Sequence, residues 1–334
     1  MNTSVARGSK HATPDVSAVM GVFNGADRLP DTLSSVLSQT GCELEFIVVD
    51  DGSTDATGSL LDEWAKTDQR LRVIHQPNAG LTRALIAGCA AASAPFIARQ
   101  DAGDISLPGR LHLQLRALQQ DTTISFVSCA TEFVEPEGAF LFRNAGTGRA
   151  AEACDVLDLR EKFGMIDGPS HHGSVMFSRE HYLRAGGYRP EFYFGQDWDL
   201  WFRLAQSGKF QMLPQTFYRA TIGVGDISTT QKPQQERIAA LSREALRLRM
   251  AGQSDRAALD EAAQVRPQRI CGRRHAIASG SYFLGECLRQ SGNAPRARQY
   301  FFQALRSEPW RLKPWIRLLQ TSVFSRAKRP AESL

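Results

Sequence analysis

The sequence predicts an α/β fold, a mostly parallel sheet flanked by helices, followed by a small all-α C-terminal region. Three observations lead there. Short β-rich runs alternate with helix-period patterns from residue 16 to about 130. Beyond Pro233 nearly everything reads as helix. Charge divides near the same place: residues 1–230 hold 20 Lys and Arg against 27 Asp and Glu, while residues 231–334 hold 20 against 8, net −7 and +12. A shift of that size argues for two domains with different partners.

The elements follow in order. VSAVMGVF (16–23) is a strand, and in ADRLPDTLSSVLSQ (26–39) Leu29, Leu33, Val36 and Leu37 share one helical face. ELEFIVVD (43–50) is the second strand, and TDATGSLLDEWAK (54–66) a helix with Thr54 as its N-cap. LRVIHQ (71–76) is the third strand, GLTRALIAGCAAA (80–92) a helix and APFIARQD (94–101) the fourth strand. Pro108 suits the first turn of a helix running to about Gln120, and TISFVSCA (123–130) is the fifth strand. FVEPEGAFLF (133–142) reads as a hairpin turning at Pro136-Glu137-Gly138, HGSVMFS (172–178) as a strand, and DWDLWFRLAQSG (197–208) as a helix stopped by Gly208.

Composition excludes several classes. With 42% hydrophobic and 22% charged residues among 334, the chain can build a core without staples. No stretch reaches the ~18–20 apolar residues of a spanning helix. Residues 1–14 are polar and read as a disordered leader rather than a signal peptide. The six cysteines (Cys42, Cys89, Cys129, Cys154, Cys271, Cys287) show no C-x-x-C pair and no histidine at ligand spacing. That speaks against zinc and a disulfide framework, and for a reducing cytoplasm.

In an open α/β sheet, ligands bind beyond the carboxyl ends of the strands. Three such ends carry suitable residues: Phe23-Asn24, the run Asp50-Asp51-Gly52-Ser53-Thr54-Asp55, and Asp101-Ala102-Gly103-Asp104. There is no G-x-G-x-x-G after the first strand and no G-x-x-x-x-G-K-S/T anywhere, which weakens dinucleotide and P-loop readings. An acidic site suits hydrogen bonding to base and ribose, with a metal-bridged diphosphate.

The ordered set VSAVMGVFN, FIVVDDGSTD, HQPNAGLTRAL and FIARQDAGDISLPGRL resembles the nucleotide-binding half of family 2 glycosyltransferases, inverting enzymes with the GT-A nucleotide-diphospho-sugar transferase fold. HHGSVMFSREHYLRAGGYRPEFYFGQDWDLWFRL (171–204) resembles their acceptor-side segment, and the likeness covers roughly residues 15–228. The resemblance implies that Val22, Phe23 and Asn24 border the nucleotide base. Asp50 and Asp51 accept from uracil and ribose, a task for an acceptor-only carboxylate, while Gly52 and Ser53 shape the turn. Arg83 either pairs with diphosphate or is a solvated helix residue. Asp101 matches the first aspartate of the family's D-x-D, facing ribose and metal. The second aspartate is Gly103 here, so a divalent metal, Mg²⁺ or Mn²⁺, is left with Asp101 and Asp104, and Asp104 also reads as a turn cap before Pro108.

Asp197 matches the catalytic base, which takes the acceptor hydroxyl's proton; Gln196 stands where the family commonly has Glu. Gln196-Asp197 equally suits a helix start. Trp198 reads as a sugar-stacking or packing residue, Trp201 as packing. His172 aligns with a family histidine on the diphosphate or acceptor side, or is structural, and Ile86 replaces a usual asparagine.

The C-terminal region is basic. LGECLRQSGNAPRARQYFFQALRSEP (284–309) resembles one tetratricopeptide unit, within a helix pair at 274–309. PWRLKPWIRLLQTSVFSRAKRP (309–330) either lies on an anionic membrane surface or packs its apolar side inward. No nucleic-acid motif is present. The expected organisation is a leader (1–14), a GT-A domain (15–230), a basic helical domain (231–325) and a tail (326–334).

The expected function is transfer of a sugar from a nucleotide-sugar donor, UDP-linked, to a saccharide or lipid-linked acceptor with inversion, in cell-surface polysaccharide or glycan synthesis. The location would be cytoplasmic, at most peripheral to the membrane. Two rivals stand beside it. One is a non-catalytic nucleotide-sugar-binding module with a helical scaffold, favoured by Gly103, Gln196 and Ile86. The other is a nucleotidyltransferase, for which GVFNGADR is a poor glycine-rich loop.

Overall fold

The computed structural model describes residues 13–145, 155–157, 168–224, 232–267 and 273–324. Four parallel strands build one half of a sheet: β1 (Val16–Val22), β2 (Leu44–Asp50), β3 (Leu71–His75) and β4 (Phe96–Arg99), in the order β3-β2-β1-β4. Helices α1 (Leu29–Leu37), α2 (Thr57–Thr67) and α3 (Leu81–Ala91) make the crossovers. All seven residues of β1 are buried, as a strand covered on both faces requires.

The α/β class holds, with corrections at the ends of elements. Helix α1 starts at Leu29, with Pro30 in its first turn, and ahead of it Gly25 N–H donates to Thr57 Oγ1 (2.9 Å). Thr54 does not cap α2; its N–H donates to Asn24 Oδ1 (2.8 Å) and the helix begins three residues later.

The sheet continues through β5 (Ile105–Ser106), helix α4 (Arg110–Gln120), β6 (Ile124–Val134), β7 (Phe140–Asn144), β8 (Asp155–Leu157), β9 (Met176–Ser178) and β10 (Lys209–Thr221). Strand β9 lies antiparallel between β4 and β6, while β6 and β10 run parallel to each other. The expected strand over 172–178 is therefore shorter: His172–Ser174 form a 3-10 turn and only Met176–Ser178 pair. The 13-residue β10 is an addition to the sequence reading. Pro214 interrupts its pattern, and the pairing with β6 shifts register between Leu213 and Thr216. Helices α5 (Arg179–Arg184) and α6 (Gln196–Ser207) lie between β9 and β10.

The remaining helices pack on two separate places. Helices α7 (Lys232–Met250) and α8 (Arg256–Ala262) join Phe192 and Phe194 in a small core with Ile238, Leu241, Ala245 and Leu259. Helices α9 (Arg273–Gln290), α10 (Ala294–Ser307) and α11 (Leu312–Phe324) add Leu284, Leu288, Phe301 and Leu318 to the main core. Buried Glu135 anchors them there, accepting from Arg296 Nη2 (2.9 Å) and Tyr300 Oη (2.8 Å). Among the described residues no helix is long and apolar enough to cross a membrane. Cys42, Cys89, Cys129 and Cys287 are free thiols; Cys154 and Cys271 lie outside the described residues.

Candidate active site

The carboxyl ends of β1 and β2 are stitched together by side chains. Asn24, in the left-handed region (φ 51°), donates its N–H to Ser53 Oγ (2.9 Å) and accepts from Thr54 N–H at Oδ1. Asp50 is buried, and its carboxylate accepts from Ser53 N–H (3.0 Å) and lies 3.0 Å from His75 Nδ1. Burial alone would raise its pKa; the bonds from Ser53 and His75 outweigh burial and hold it below the usual range. Asp51 turns the other way. It accepts from Gln76 Nε2 (2.7 Å), Ala79 N–H (2.9 Å) and Gly80 N–H (2.7 Å), fixing the loop before α3. A Cβ on Gly52 (φ +75°) would stand 2.6 Å from Asn78 N, so the turn packs directly on that loop.

The corner after β4 rests on two buried arginines. Arg99, fully buried, ion-pairs with Asp101 Oδ1 and donates to the carbonyls of Val19 and Gln100. Arg110 donates to the carbonyls of Arg99 (2.7 Å) and Gly173 (2.6 Å) and stacks over Tyr218. Burial pushes the Asp101 carboxyl up, but the Arg99 charge, with Arg110 behind it, outweighs it and brings the pKa to about 2.

Asp104 is buried and accepts from Thr221 N–H (3.0 Å) on β10. Between the two aspartates sits His171, its Nδ1 3.7 Å from an oxygen of each. That nitrogen accepts from Gly173 N–H (3.1 Å), a bond it would exchange for a cation. Three acceptor atoms thus converge within 4.8 Å of one another, an arrangement that fits a cation.

His172, the histidine selected from sequence, faces elsewhere. Its Nε2 accepts from Arg99 Nε (3.4 Å) and stands 2.8 Å from Tyr188 Oη, and its ring meets Tyr188 and Trp201 edge-on. Burial, then the Arg99 charge, takes its pKa down to about 3, so the ring is neutral. Gly103 adopts φ +91°, with the nearest atom to an added Cβ being Arg28 Cδ at 3.1 Å. An aspartate at this position would be strained, so the missing carboxylate of the D-x-D pattern has no comfortable place here.

Across the opening, α6 begins with Gln196 buried and Asp197 half-buried. Asp197 Oδ1 accepts from Trp198 N–H (2.9 Å). Burial raises its pKa to about 6, against smaller lowering contributions from the backbone N–H groups; the Asp101 charge adds to the rise. Trp198 meets Trp201 edge-on at 5.2 Å, and Trp201 is buried in a core with Val19, Leu85, Phe126 and Phe210.

One cavity of about 930 Å³ collects these groups. Phe23, Asp51, Asp101, Gln196, Asp197 and Trp198 line it, joined by His171, Tyr193 and, from α7, Gln235 and Glu236. Val22, Asn24, Asp50, Gly52, Ser53, Asp104 and His172 stand outside the lining, and Arg83 is an exposed residue of α3 also outside it. Sequence reasoning missed His171, Arg99 and the wall from α7. An arginine inside the apolar strand FIAR was a usable signal, since a buried guanidinium demands a partner.

A mostly parallel sheet with flanking helices is consistent with the GT-A fold. A family model described as "Glycosyl transferase family 2" matches residues 17–177. The "Putative glycosyltransferase EpsE" of Bacillus subtilis (strain 168) is 30% identical over 200 residues, which cover 58% of this chain and 68% of that protein. The chain belongs to glycosyl transferase family 2. It is also 26% identical over 214 residues to a chondroitin synthase of Pasteurella multocida (strain Pm70), covering 64% of this chain. The chain spans 21% of that synthase, and 35% of EpsH from the same Bacillus strain. The crystal structure of S. aureus TarS 1-349 shares the fold, with a TM-score of 0.50 at 11% identity over 94% of this chain and 92% of that one.

Proposed function

We propose that this protein moves a sugar from a nucleotide-sugar donor, UDP-linked, to a hydroxyl of a saccharide or lipid-linked acceptor with inversion, in synthesis of a surface polysaccharide. The observation that carries the reading is the pairing, in one cavity, of a strongly ionised Asp101 corner with an Asp197 carboxyl raised to about 6. A volume of about 930 Å³ suits a ligand of nucleotide-sugar size. The name of the chondroitin synthase supports the polymer class.

In this reading Phe23 and Asp51 frame the base, and Asp50, one layer back, holds the Ser53 turn. Asp101, Asp104 and His171 would hold a divalent cation, which supplies positive charge to the departing diphosphate. Asp197 takes the proton of the acceptor hydroxyl as its oxygen bonds to the anomeric carbon; the bond to diphosphate breaks and its electron pair leaves with the phosphate oxygen. Trp198 and Tyr193 present aromatic surface to sugar.

The test is a panel of UDP- and other nucleotide sugars with Mn²⁺ or Mg²⁺, read by thermal shift and UDP release. At least one donor is expected to raise Tm, by about 2.7 kcal/mol of stabilisation at 100 times Kd, and to release UDP when acceptor is added. No shift with any donor overturns the reading. A shift without release across a broad acceptor panel replaces it with the binding-module rival.

A further inference from the structure

Helix α11 carries two apolar faces. Pro314, Leu318 and Thr321 are buried on one. Nearly opposite, Leu312, Trp315, Ile316 and Leu319 follow the i, i+3, i+4, i+7 spacing of a single helix face and are 75, 49, 50 and 69% exposed. Trp310, just before the helix, is 71% exposed. Scattered exposed apolar residues are ordinary, whereas a contiguous stripe marks a contact surface. Of the two sequence expectations for this segment, inward packing accounts for one face only.

Charge and size select the occupant. Residues 309–334 contain six Lys and Arg and one acidic residue, Glu332. Arg311 and Arg317 are paired with Glu308 and Glu286 and hold the helix in place. Lys313, exposed one residue after Leu312, makes no ion pair among the described residues. Trp315 satisfies its own indole N–H on the Pro309 carbonyl (3.0 Å), so its ring can leave water without an orphaned donor. Thirteen residues span only ~20 Å, so one face offers far less than the ~800 Å² per partner of a stable protein pair. A short apolar stripe with Lys313 beside it, in a segment holding six cationic residues against one acidic, fits a lipid interface instead.

We propose that α11 seats this protein on an anionic bilayer, with Leu312, Trp315, Ile316 and Leu319 in the headgroup–acyl boundary and Lys313 beside the phosphates. The proposal stands on the surface alone and needs no glycosyl transfer. The test is co-sedimentation of the full chain, without donor, with vesicles of phosphatidylcholine containing about one-third phosphatidylglycerol. The comparison variant is Leu312→Gln/Ile316→Gln/Leu319→Gln, whose sites are all exposed. The wild type is expected to pellet, less so as salt rises, and the variant to partition at least about tenfold more weakly with an unchanged Tm. Failure of the wild type to bind anionic vesicles overturns the proposal, as does equal binding by the variant. A concentration-dependent dimer that the variant abolishes also overturns it and assigns the stripe to a second copy.

Discussion

At the end of β4, Asp101 is one-quarter exposed and backed by the buried Arg99 guanidinium, and it titrates near 2. At the start of α6, Asp197 faces the same cavity and titrates near 6, because burial raises it more than its backbone hydrogen bonds lower it. Two carboxylates of one chemistry are thus set for different tasks by their surroundings. The first stays charged and can share a cation with Asp104 and His171. The second can take up a proton near neutrality. The two environments come from different parts of the fold: the β-strand corner is a polar network, and the α6 start is held by aromatic packing.

The largest break in this comparison is Asp197→Asn. It keeps size and hydrogen bonding to Trp198 N–H but cannot accept a proton as a base. Transfer is expected to fall by about 10²–10⁴-fold, with donor-induced thermal shift preserved.

The neighbouring histidines give the next test. His171→Ala is expected to raise the metal concentration for half-maximal activity by roughly 10–100-fold, the scale seen when support of a metal site is lost. His172→Ala removes the partner of Arg99 and Tyr188 and is expected to cost about 1–3 kcal/mol of stability, seen as a lower Tm, with the metal requirement unchanged. A swap of these two outcomes would move the ligand role from His171 to His172.

Gly103→Asp restores the text of the D-x-D pattern at a left-handed position. It is expected to cost about 1–2 kcal/mol and to leave Mn²⁺ affinity unimproved in a metal titration.

Much of this was legible in the sequence. The four leading strands, the acidic strand ends and the Gln196-Asp197 helix start are local patterns, and local patterns of period 2 and 3.6 survive folding. What escaped depended on distant partners. Asp50 and Asp51 look equivalent in DDGSTD, but His75 on β3 claims the first, and the loop at 76–80 claims the second. His171 and His172 are adjacent, and only the 3-10 turn decides which one meets the aspartates. Strand β10 was hidden by Pro214, whose register shift in the pairing with β6 absorbs it. Gln235 and Glu236 reach the cavity only because Ile238 packs with Phe192 and Phe194.

The most direct test of the opposed tuning is the pH dependence of kcat/KM with a saturating divalent cation. A base with a raised pKa is protonated, and idle, below it. An acid limb is therefore expected near pH 6, falling about tenfold per unit toward pH 5, with no such limb in the residual activity of Asp197→Asn. A wild-type profile flat from pH 7 to 5, or a limb that persists in the variant, contradicts it.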